Sequence, residues 1–207
     1  MGWRMYEADS LDDLRGILGD CTRCQLCRSR ANVVFGSGNP EARLMFVGEG
    51  PGRAEDAQGL PFVGPAGKLL DEMLTSIGLR RQDVYIANVV KCRPPGNRDP
   101  LPVEIETCSP FLEQQIKLIK PEIVCELGRV AASLMMDRQI QITKVHGQRF
   151  IGPGYYNVPV FHPAAALRAA SNLDLLKQDF QSLKKYLEEE QAPPEPPEAE
   201  PEQMGLF

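Results

Sequence analysis

The sequence lacks the segments that direct a protein into or across a membrane. No apolar run reaches bilayer-spanning length, and residues 1–20 do not form a basic, apolar leader ending in small residues. Aromatic residues are also few, at 7% of the chain. We therefore expect a cytoplasmic protein with no membrane partner, and nothing in the sequence requires more than a monomer.

The two common nucleotide-binding fingerprints are also missing, although LMFVGEGPGRAEDAQGLPFVGPAGKLL runs from an apolar strand through a glycine loop into a helical pattern. Gly48 and Gly50 begin a G-x-G-x-x-G pattern, but Arg53 occupies the third glycine position. In GPAGKLL a leucine follows the lysine where a Walker loop needs Ser or Thr. The glycines instead allow a ligand to approach the backbone closely.

The acidic excess is confined to one end of the chain. The formal net charge is −5, but seven of the 28 acidic residues lie within the last twenty positions. The remaining body carries 21 acidic against 23 basic side chains, a charge of about +2. The acidic balance of the whole chain therefore does not exclude a nucleic-acid partner.

Apolar runs alternate with helical patterns along residues 1–187, which is long enough for one sizeable domain. The predicted strands are 43–47, 84–90, 122–127 and 158–161. The predicted helices are 10–19, 66–77, 103–119, 128–135 and 173–187. This alternation predicts a single three-layer α/β domain, with a mostly parallel four-stranded sheet flanked by helices. Ligands of such sheets bind beyond the carboxyl ends of the strands.

Residues 188–207 have a different composition. The segment EEEQAPPEPPEAEPEQMGLF is rich in Glu and Pro, which predicts a disordered tail. Its last five residues, QMGLF, are mostly apolar and follow a polar spacer, as in a short linear motif. A terminus without function fits the composition equally well.

The chain has six cysteines, and disulfides are rare in the cytosol. They are Cys21, Cys24, Cys27, Cys92, Cys108 and Cys125. CTRCQLC contains two overlapping C-x-x-C pairs, a spacing that can bind one metal centre. Four thiolates suit either structural zinc or an iron–sulfur cluster, and the spacing alone favours neither strongly. The cysteine in EIVCEL fits a buried structural thiol.

Four side chains within or after the predicted strands could form a ligand site. Glu49 lies among the glycines of GEGPG, and Phe62 offers a stacking surface for a planar ligand, although a core phenylalanine is the commoner case. Asn88 carries both a donor and an acceptor, so it can recognise a nucleobase edge. His162 follows a strand in FHPAAALR, a position suited to chemistry, although a lone histidine is often only structural.

The motifs together resemble family 4 uracil-DNA glycosylases, the iron–sulfur type of that superfamily. The stretches that carry the resemblance are CTRC, VVFGSGNPEARLMFVGEGPGRAEDAQGLPFVGPAG, VYIANVVKCRPPGNRDP, ITKVHGQ and FHPAAALR, which cover residues 21–168 in the family's order. The resemblance implies the uracil-DNA glycosylase fold for residues 1–187. It also implies a structural [4Fe-4S] cluster on Cys21, Cys24, Cys92 and Cys108, with the other two cysteines as non-ligands.

The resemblance further implies a monofunctional enzyme that flips uracil out of DNA and hydrolyses its N-glycosidic bond, leaving an abasic site. Glu49 and His162 would be catalytic. The uracil-binding residues would be Gly50, Glu55, Phe62, Asn88 and His162. The DNA-binding residues would be Arg93, Asn97, Arg98, Leu167 and Arg168.

This sequence departs from the family pattern at two positions. Ala166 stands where relatives carry a wedge leucine, so Leu167 is the alternative wedge, and His146 stands where relatives often have arginine. QMGLF resembles a bacterial clamp-binding peptide, which implies a sliding clamp as a partner through Gln203, Met204, Leu206 and Phe207. The expected location is the cytoplasm, in association with the nucleoid.

Three alternatives remain on the residues. The chain could be a glycosylase for a broader set of deaminated bases, such as hypoxanthine and xanthine, or a non-catalytic iron–sulfur DNA-binding protein. A relative of phage polymerases in the same superfamily is disfavoured by the intact GEGPG and FHPA motifs.

Overall fold

The fold is organised by strands that are buried on both faces. In the central strand β2 (Leu44–Gly48) every residue is buried, as expected where helices cover both sides of a parallel sheet. The computed structural model describes residues 7–189 and residue 194, so the predicted clamp peptide lies outside the described residues. The structure confirms the predicted α/β class, with helices on both faces of a mixed sheet.

Six strands and eight α-helices occur in the described part of the chain. The strands are β1 (Ser37–Gly38), β2 (Leu44–Gly48), β3 (Tyr85–Asn88), β4 (Ile123–Glu126), β5 (Phe150–Ile151) and β6 (Tyr156–Asn157). The helices are α1 (Leu11–Leu18), α2 (Arg53–Gln58), α3 (Pro65–Ser76), α4 (Pro102–Ile119), α5 (Arg129–Met135), α6 (Ile142–Val145), α7 (Pro163–Ala166) and α8 (Ala170–Glu188). None of these helices is long and apolar enough to cross a bilayer.

The sheet order is β1-β3-β2-β4-β6-β5. The four inner strands are mutually parallel, whereas β1 and β5 pair antiparallel at the two edges. The sheet therefore has two more strands than the four predicted. Each extra strand has only two residues, which is too short to produce a periodic pattern in the sequence.

The fourth predicted strand is displaced towards the amino terminus. The predicted range was 158–161, whereas the regular ladder of β6 covers Tyr156–Asn157. Val158 and Val160 still donate to β4, at 2.9 Å each. Pro159 lies between them and has no backbone N–H that could bond to β5. The regular pairing of β6 with β5 is therefore limited to the two residues Tyr156 and Asn157.

The two faces of the sheet have different partners. Alternate β2 residues point to opposite sides, so Leu44 and Phe46 pack with α3 and α8, whereas Met45 and Val47 pack with α4 and α5. Helix α1 closes a third cluster against α4. Ser10 accepts a hydrogen bond from the N–H of Asp13, at 3.1 Å, and so caps α1 as the sequence predicts.

Gly67 shows why the GPAG segment needs its second glycine. A Cβ at Gly67 would lie 1.8 Å from the carbonyl oxygen of Phe62, a distance that no side chain tolerates. The glycine therefore lets helix α3 pack directly on the backbone of the preceding loop. Its role is close packing rather than phosphate binding, in agreement with the failed Walker pattern.

Candidate active site

A cavity of about 420 Å³ opens where the parallel strands end. Nine of the residues predicted for the site line it together, namely Glu49, Gly50, Glu55, Phe62, Asn88, Asn97, Arg98, His162 and Arg168. They come from the end of β3 and from the segments that follow β2, β3 and β6, which meet at the carboxyl edge of the sheet as parallel strands require.

Two predicted DNA-binding residues, Arg93 and Leu167, do not line the cavity. Arg93 donates from Nε to Oδ1 of Asn97 at 2.7 Å, so it orients a residue of the cavity rim. Leu167 is 54% exposed, whereas Ala166 is 4% exposed and packs in the core. Of the two candidate wedge residues, only Leu167 is therefore accessible from outside.

Asn88 is the most constrained polar group in the cavity wall. It is the last residue of β3, lies opposite Gly48 of β2 and is 1% exposed. Its Oδ1 is buried and has no hydrogen-bond partner among the described residues. A buried amide oxygen without a partner costs about 1–3 kcal/mol, so this atom is suited to an N–H supplied by a ligand.

The strand end that carries Asn88 is held from the side of helix α4. The buried ammonium of Lys91 donates to the carbonyl oxygen of Asn88 at 2.8 Å and to Oε1 of Gln115 at 2.6 Å. Gln115 in turn donates to the carbonyl oxygen of Phe35 at 2.9 Å. This buried network fixes the backbone from which the Asn88 amide projects.

Phe62 has an unusual backbone. Its φ is 52°, in the left-handed region, and the residue is 6% exposed. Glu55 supports the turn, because its Oε1 accepts hydrogen bonds from the N–H groups of Val63, at 3.0 Å, and Gly64, at 2.8 Å. Glu55 thus has a structural role at the cavity wall that the sequence did not reveal, and its predicted contact with the base stays a prediction.

His162 is held in one tautomer by its position before helix α7. Its Nδ1 accepts a hydrogen bond from the N–H of Ala164 at 3.0 Å, so in the neutral ring the proton resides on Nε2. Burial, and then the nearby Arg168, lower the pKa of His162 to about 4. The ring lies 5.9 Å from that of Phe62, centroid to centroid. At neutral pH His162 is an uncharged N–H donor.

The backbone before His162 is anchored by helix α8. Asp179 accepts from the N–H of Phe161 at 3.4 Å and pairs with Nδ1 of His146 at 2.7 Å. The Asp179 side chain is 3% exposed and that of His146 is 20% exposed. His146 therefore packs inward against α8.

Glu49 differs from an ordinary surface carboxylate. Burial, followed by the charge of Asp99, raises its pKa to about 6, whereas Arg129 acts in the opposite direction. Asp99 also lines the cavity and pairs with Arg129 at 2.9 Å. Asp99 belongs to the motif GNRDP but was not singled out in the sequence, because its effect on Glu49 depends on the folded loop.

Arg98 is largely committed within the protein. Its guanidinium forms a bidentate pair with Glu104, at 2.7 and 2.8 Å, and the Glu104 side chain is fully buried. This pair lowers the pKa of Glu104, because the carboxylate is stabilised by the adjacent positive charge. Arg98 therefore shapes the rim loop, and its predicted contact with DNA stays a prediction.

The four predicted ligand cysteines also converge. A small enclosed space, about 10 Å³, is lined by Cys21, Cys24, Cys92 and Cys108, and neither Cys27 nor Cys125 lines it. Within residues 7–189 and 194, however, no group of three or more His, Cys or acidic side chains is arranged so that it could hold a metal ion.

Hydrogen-bond donors lie beside these sulfur atoms, although burial raises the pKa of the Cys108 thiol to about 11 and that of the Cys92 thiol to about 12. Cys108 Sγ accepts from the N–H of Lys91 at 3.3 Å. Cys92 Sγ lies 3.5 Å from Nη1 of Arg30, and Cys21 Sγ lies 3.3 Å from Nη1 of Arg23. Hydrogen bonds to sulfur are among the features that tune thiolate-bound clusters, so the donor set and its N–H partners fit an iron–sulfur group.

Comparison with known proteins shows which family the chain belongs to. A family model described as the uracil DNA glycosylase superfamily matches residues 35–189. The type-4 uracil-DNA glycosylase of Archaeoglobus fulgidus is 44% identical over 183 residues, covering 84% of this chain and 92% of that protein. That of Thermotoga maritima is 47% identical over 175 residues, covering 82% and 91%.

A solved structure shows the same fold at low sequence identity. The crystal structure of Pedobacter heparinus SMUG2 aligns with a TM-score of 0.50 and 15% identity, covering 72% of this chain and 77% of that one. The fold and the cavity define an α/β domain with a polar pocket at the carboxyl edge of its parallel strands. The chain belongs to the uracil-DNA glycosylase superfamily, among the proteins similar to the type-4 enzymes.

Substitutions of the two charged residues near Glu49 should shift the pKa of Glu49 in opposite directions. In a ¹³C NMR titration of the side-chain carboxyls, Glu49 should titrate near pH 6 in the unaltered protein. Asp99→Asn should lower that pKa, because a nearby negative charge is lost, and Arg129→Gln should raise it, because a positive charge is lost. Asp137→Asn serves as the control, because it changes the charge as Asp99→Asn does and Asp137 does not line the cavity. A Glu49 pKa unmoved by both substitutions would contradict this account.

Proposed function

We propose that this protein flips uracil out of DNA and hydrolyses its N-glycosidic bond, leaving an abasic site for base excision repair. The observation that carries the proposal is the convergence of Glu49, Phe62, Asn88 and His162 on one cavity. A base within a duplex cannot reach such a pocket, so the nucleotide has to be extruded first. The relatives at 44–47% identity are named for the same activity.

Asn88 supports the choice of uracil over cytosine. Uracil presents an N–H at N3 and a carbonyl at O4, which match the acceptor and the donor of a side-chain amide. The unpartnered Oδ1 would accept the N3–H, and Nδ2 would donate to O4. Cytosine reverses both groups, so it would leave the buried amide unsatisfied. Phe62 would stack on the ring, and Glu55 would crowd the 5-methyl group of thymine.

His162 would stabilise the leaving group. Cleavage transfers the bonding electron pair to N1 of uracil, and the negative charge spreads to O2. The Nε2–H of a neutral imidazole would donate to O2 without requiring a protonated ring. The lowered pKa and the Nδ1 contact to Ala164 both favour this form of His162.

Glu49 would act on the other reactant. As the bond to N1 breaks, C1′ gains positive character, which a carboxylate stabilises. Glu49 would also accept a proton from the water whose oxygen forms the new bond to C1′. With a pKa of about 6, the Glu49 carboxyl is mostly ionised at neutral pH. It is also more basic than an ordinary carboxylate, which helps it to accept that proton.

The proposed enzyme is monofunctional. Among the described residues that line the cavity there is no lysine, so none is placed to form a Schiff base with the sugar. The ammonium of Lys91 is buried and donates to Asn88 and Gln115 on the other side of the wall. Water is therefore the expected nucleophile, and the DNA strand stays intact.

The rim of the cavity would bind the DNA backbone. Arg168 and Asn97 line the opening, and Arg93 supports Asn97. Leu167, exposed at the end of α7, is the proposed wedge for the gap left by the flipped base. Apolar side chains inserted between base steps are a common means of holding DNA open.

A [4Fe-4S] cluster on Cys21, Cys24, Cys92 and Cys108 is part of the proposal. Such a cluster binds each thiolate through a different iron, so its ligands need not meet at one ion. The residues fit this group, because the four cysteines share one enclosed space with N–H donors beside their sulfur atoms. When bound, the cluster would link the segment before β1 to the loop after β3 and to helix α4, without a redox step in hydrolysis.

The tail supports a proposal about location. From the sequence alone, a sliding clamp would be bound by Gln203, Met204, Leu206 and Phe207. The Glu- and Pro-rich segment would tether the enzyme to the clamp, in the cytoplasm at the nucleoid.

Removal of residues 203–207 should abolish clamp binding and leave excision from short DNA unchanged. Clamp binding by the shortened chain would contradict this role.

Two substitutions of His162 test the proposed function. Single-turnover excision of uracil from single-stranded DNA should fall ~10²–10³-fold in His162→Ala, because a preorganised donor to the leaving group is lost. In His162→Asn the side chain can still cap α7, so this variant should keep the melting temperature and still lose activity. Failure of the unaltered protein to release uracil would contradict the function, and full activity in both variants would contradict the role of His162.

Two cysteine substitutions distinguish a cluster from scattered thiols. The purified protein should absorb visible light and contain about four irons per chain, as a [4Fe-4S] cluster requires. Cys92→Ser should lose iron, colour and thermal stability together, whereas Cys27→Ser should keep all three. A colourless protein with one zinc per chain, or equal iron loss in both variants, would contradict the proposed cluster.

A further inference from the structure

The backbone of Phe62 is held from outside the cavity by one side chain. Arg81, in the 3₁₀ turn Arg81–Asp83 before β3, donates from Nη1 to the carbonyl oxygen of Phe62 at 2.8 Å. Its Nη2 contacts the carbonyl oxygen of Pro61. Asp71 of helix α3 orients the guanidinium through a contact of 3.1 Å to Nη1.

This support acts at a strained position. Phe62 is one of four non-glycine residues with positive φ in the described chain, a conformation that persists only where neighbouring groups enforce it. Glu55 holds the N–H groups that follow Phe62, and Arg81 holds the carbonyl groups of Phe62 and of the residue before it. The peptide is thus clamped on both sides, and only Glu55 lines the cavity.

The contacts on the ring leave it little freedom of its own. A Cβ at Gly48 would lie 2.6 Å from the Phe62 ring, so the aromatic ring rests directly on the β2 backbone. The orientation of the ring is therefore set by the position of the Phe62 main chain. A guanidinium is well suited to fix that peptide, because its planar fork binds two carbonyl oxygens at once.

We propose that Arg81 is a positioning residue for the stacking platform, acting on bound uracil through the main chain of Phe62. This inference rests on the proposed function, since Phe62 matters here only if a base stacks on it. Arg81 would touch neither the base nor the sugar. The effect of removing it should therefore depend on the presence of the Phe62 ring.

A double-mutant cycle tests the inference, with single-turnover excision and inhibition by free uracil as its two measurements. Phe62→Ala should weaken uracil inhibition roughly 5- to 150-fold, the range expected for loss of one base–aromatic stack. Arg81→Ala should reproduce much of that loss. In the Phe62→Ala background, Arg81→Ala should cause little further loss, because the group through which Arg81 acts is already gone.

The controls separate this role from general stability. Arg80→Ala removes the neighbouring arginine, which is paired with Asp83 rather than with the loop, and should leave uracil inhibition unchanged. Arg81→Lys, which can donate to either carbonyl group but lacks the fork, should give an intermediate effect and covers the case in which Arg81→Ala does not fold. The inference would be overturned if Arg81→Ala weakened uracil inhibition equally in the presence and absence of the Phe62 ring. It would also be overturned if neither Arg81→Lys nor Arg81→Ala weakened uracil inhibition. An inactive unaltered protein would instead refute the proposed function.

Discussion

The site depends on the close approach of three elements at Gly48. A Cβ at this position would lie 2.4 Å from Oδ1 of Asn88 and 2.6 Å from the ring of Phe62. Without a side chain there, the end of β2 lets the amide from β3 and the aromatic ring from the following loop occupy the same wall. The pocket can therefore present an aromatic surface and a hydrogen-bonding edge on the same wall.

The electrostatics of the wall follow from the same burial. Desolvation lowers the pKa of His162 to about 4, further below neutral pH, and raises that of Glu49 to about 6, towards neutral pH. One is an uncharged donor where negative charge would develop on the base, and the other is a carboxylate able to accept a proton. The fold fixes both properties, since the N–H of Ala164 sets the tautomer of His162, and burial together with the charge of Asp99 raises the pKa of Glu49.

The sequence was sufficient for the elements whose patterns are long or chemically explicit. The buried strand β2 and the amphipathic helices α3 and α4 lie within a residue or two of their predicted ranges, and the side chains at the strand ends share one cavity as strand topology requires. The two-residue edge strands have no period to detect. The supporting roles of Glu55 and Arg81 could not be predicted either, because each depends on which backbone groups the folded loop turns towards it.

The central claim is that Phe62, Asn88 and His162 form one binding site for a single extruded pyrimidine. A crystal structure of the protein with free uracil tests it most directly. The account predicts the uracil ring stacked on Phe62, N3–H and O4 bonded to the amide of Asn88, and O2 within hydrogen-bonding distance of Nε2 of His162. Uracil bound elsewhere, or bound in this cavity with the Asn88 amide turned away from it, would contradict the account.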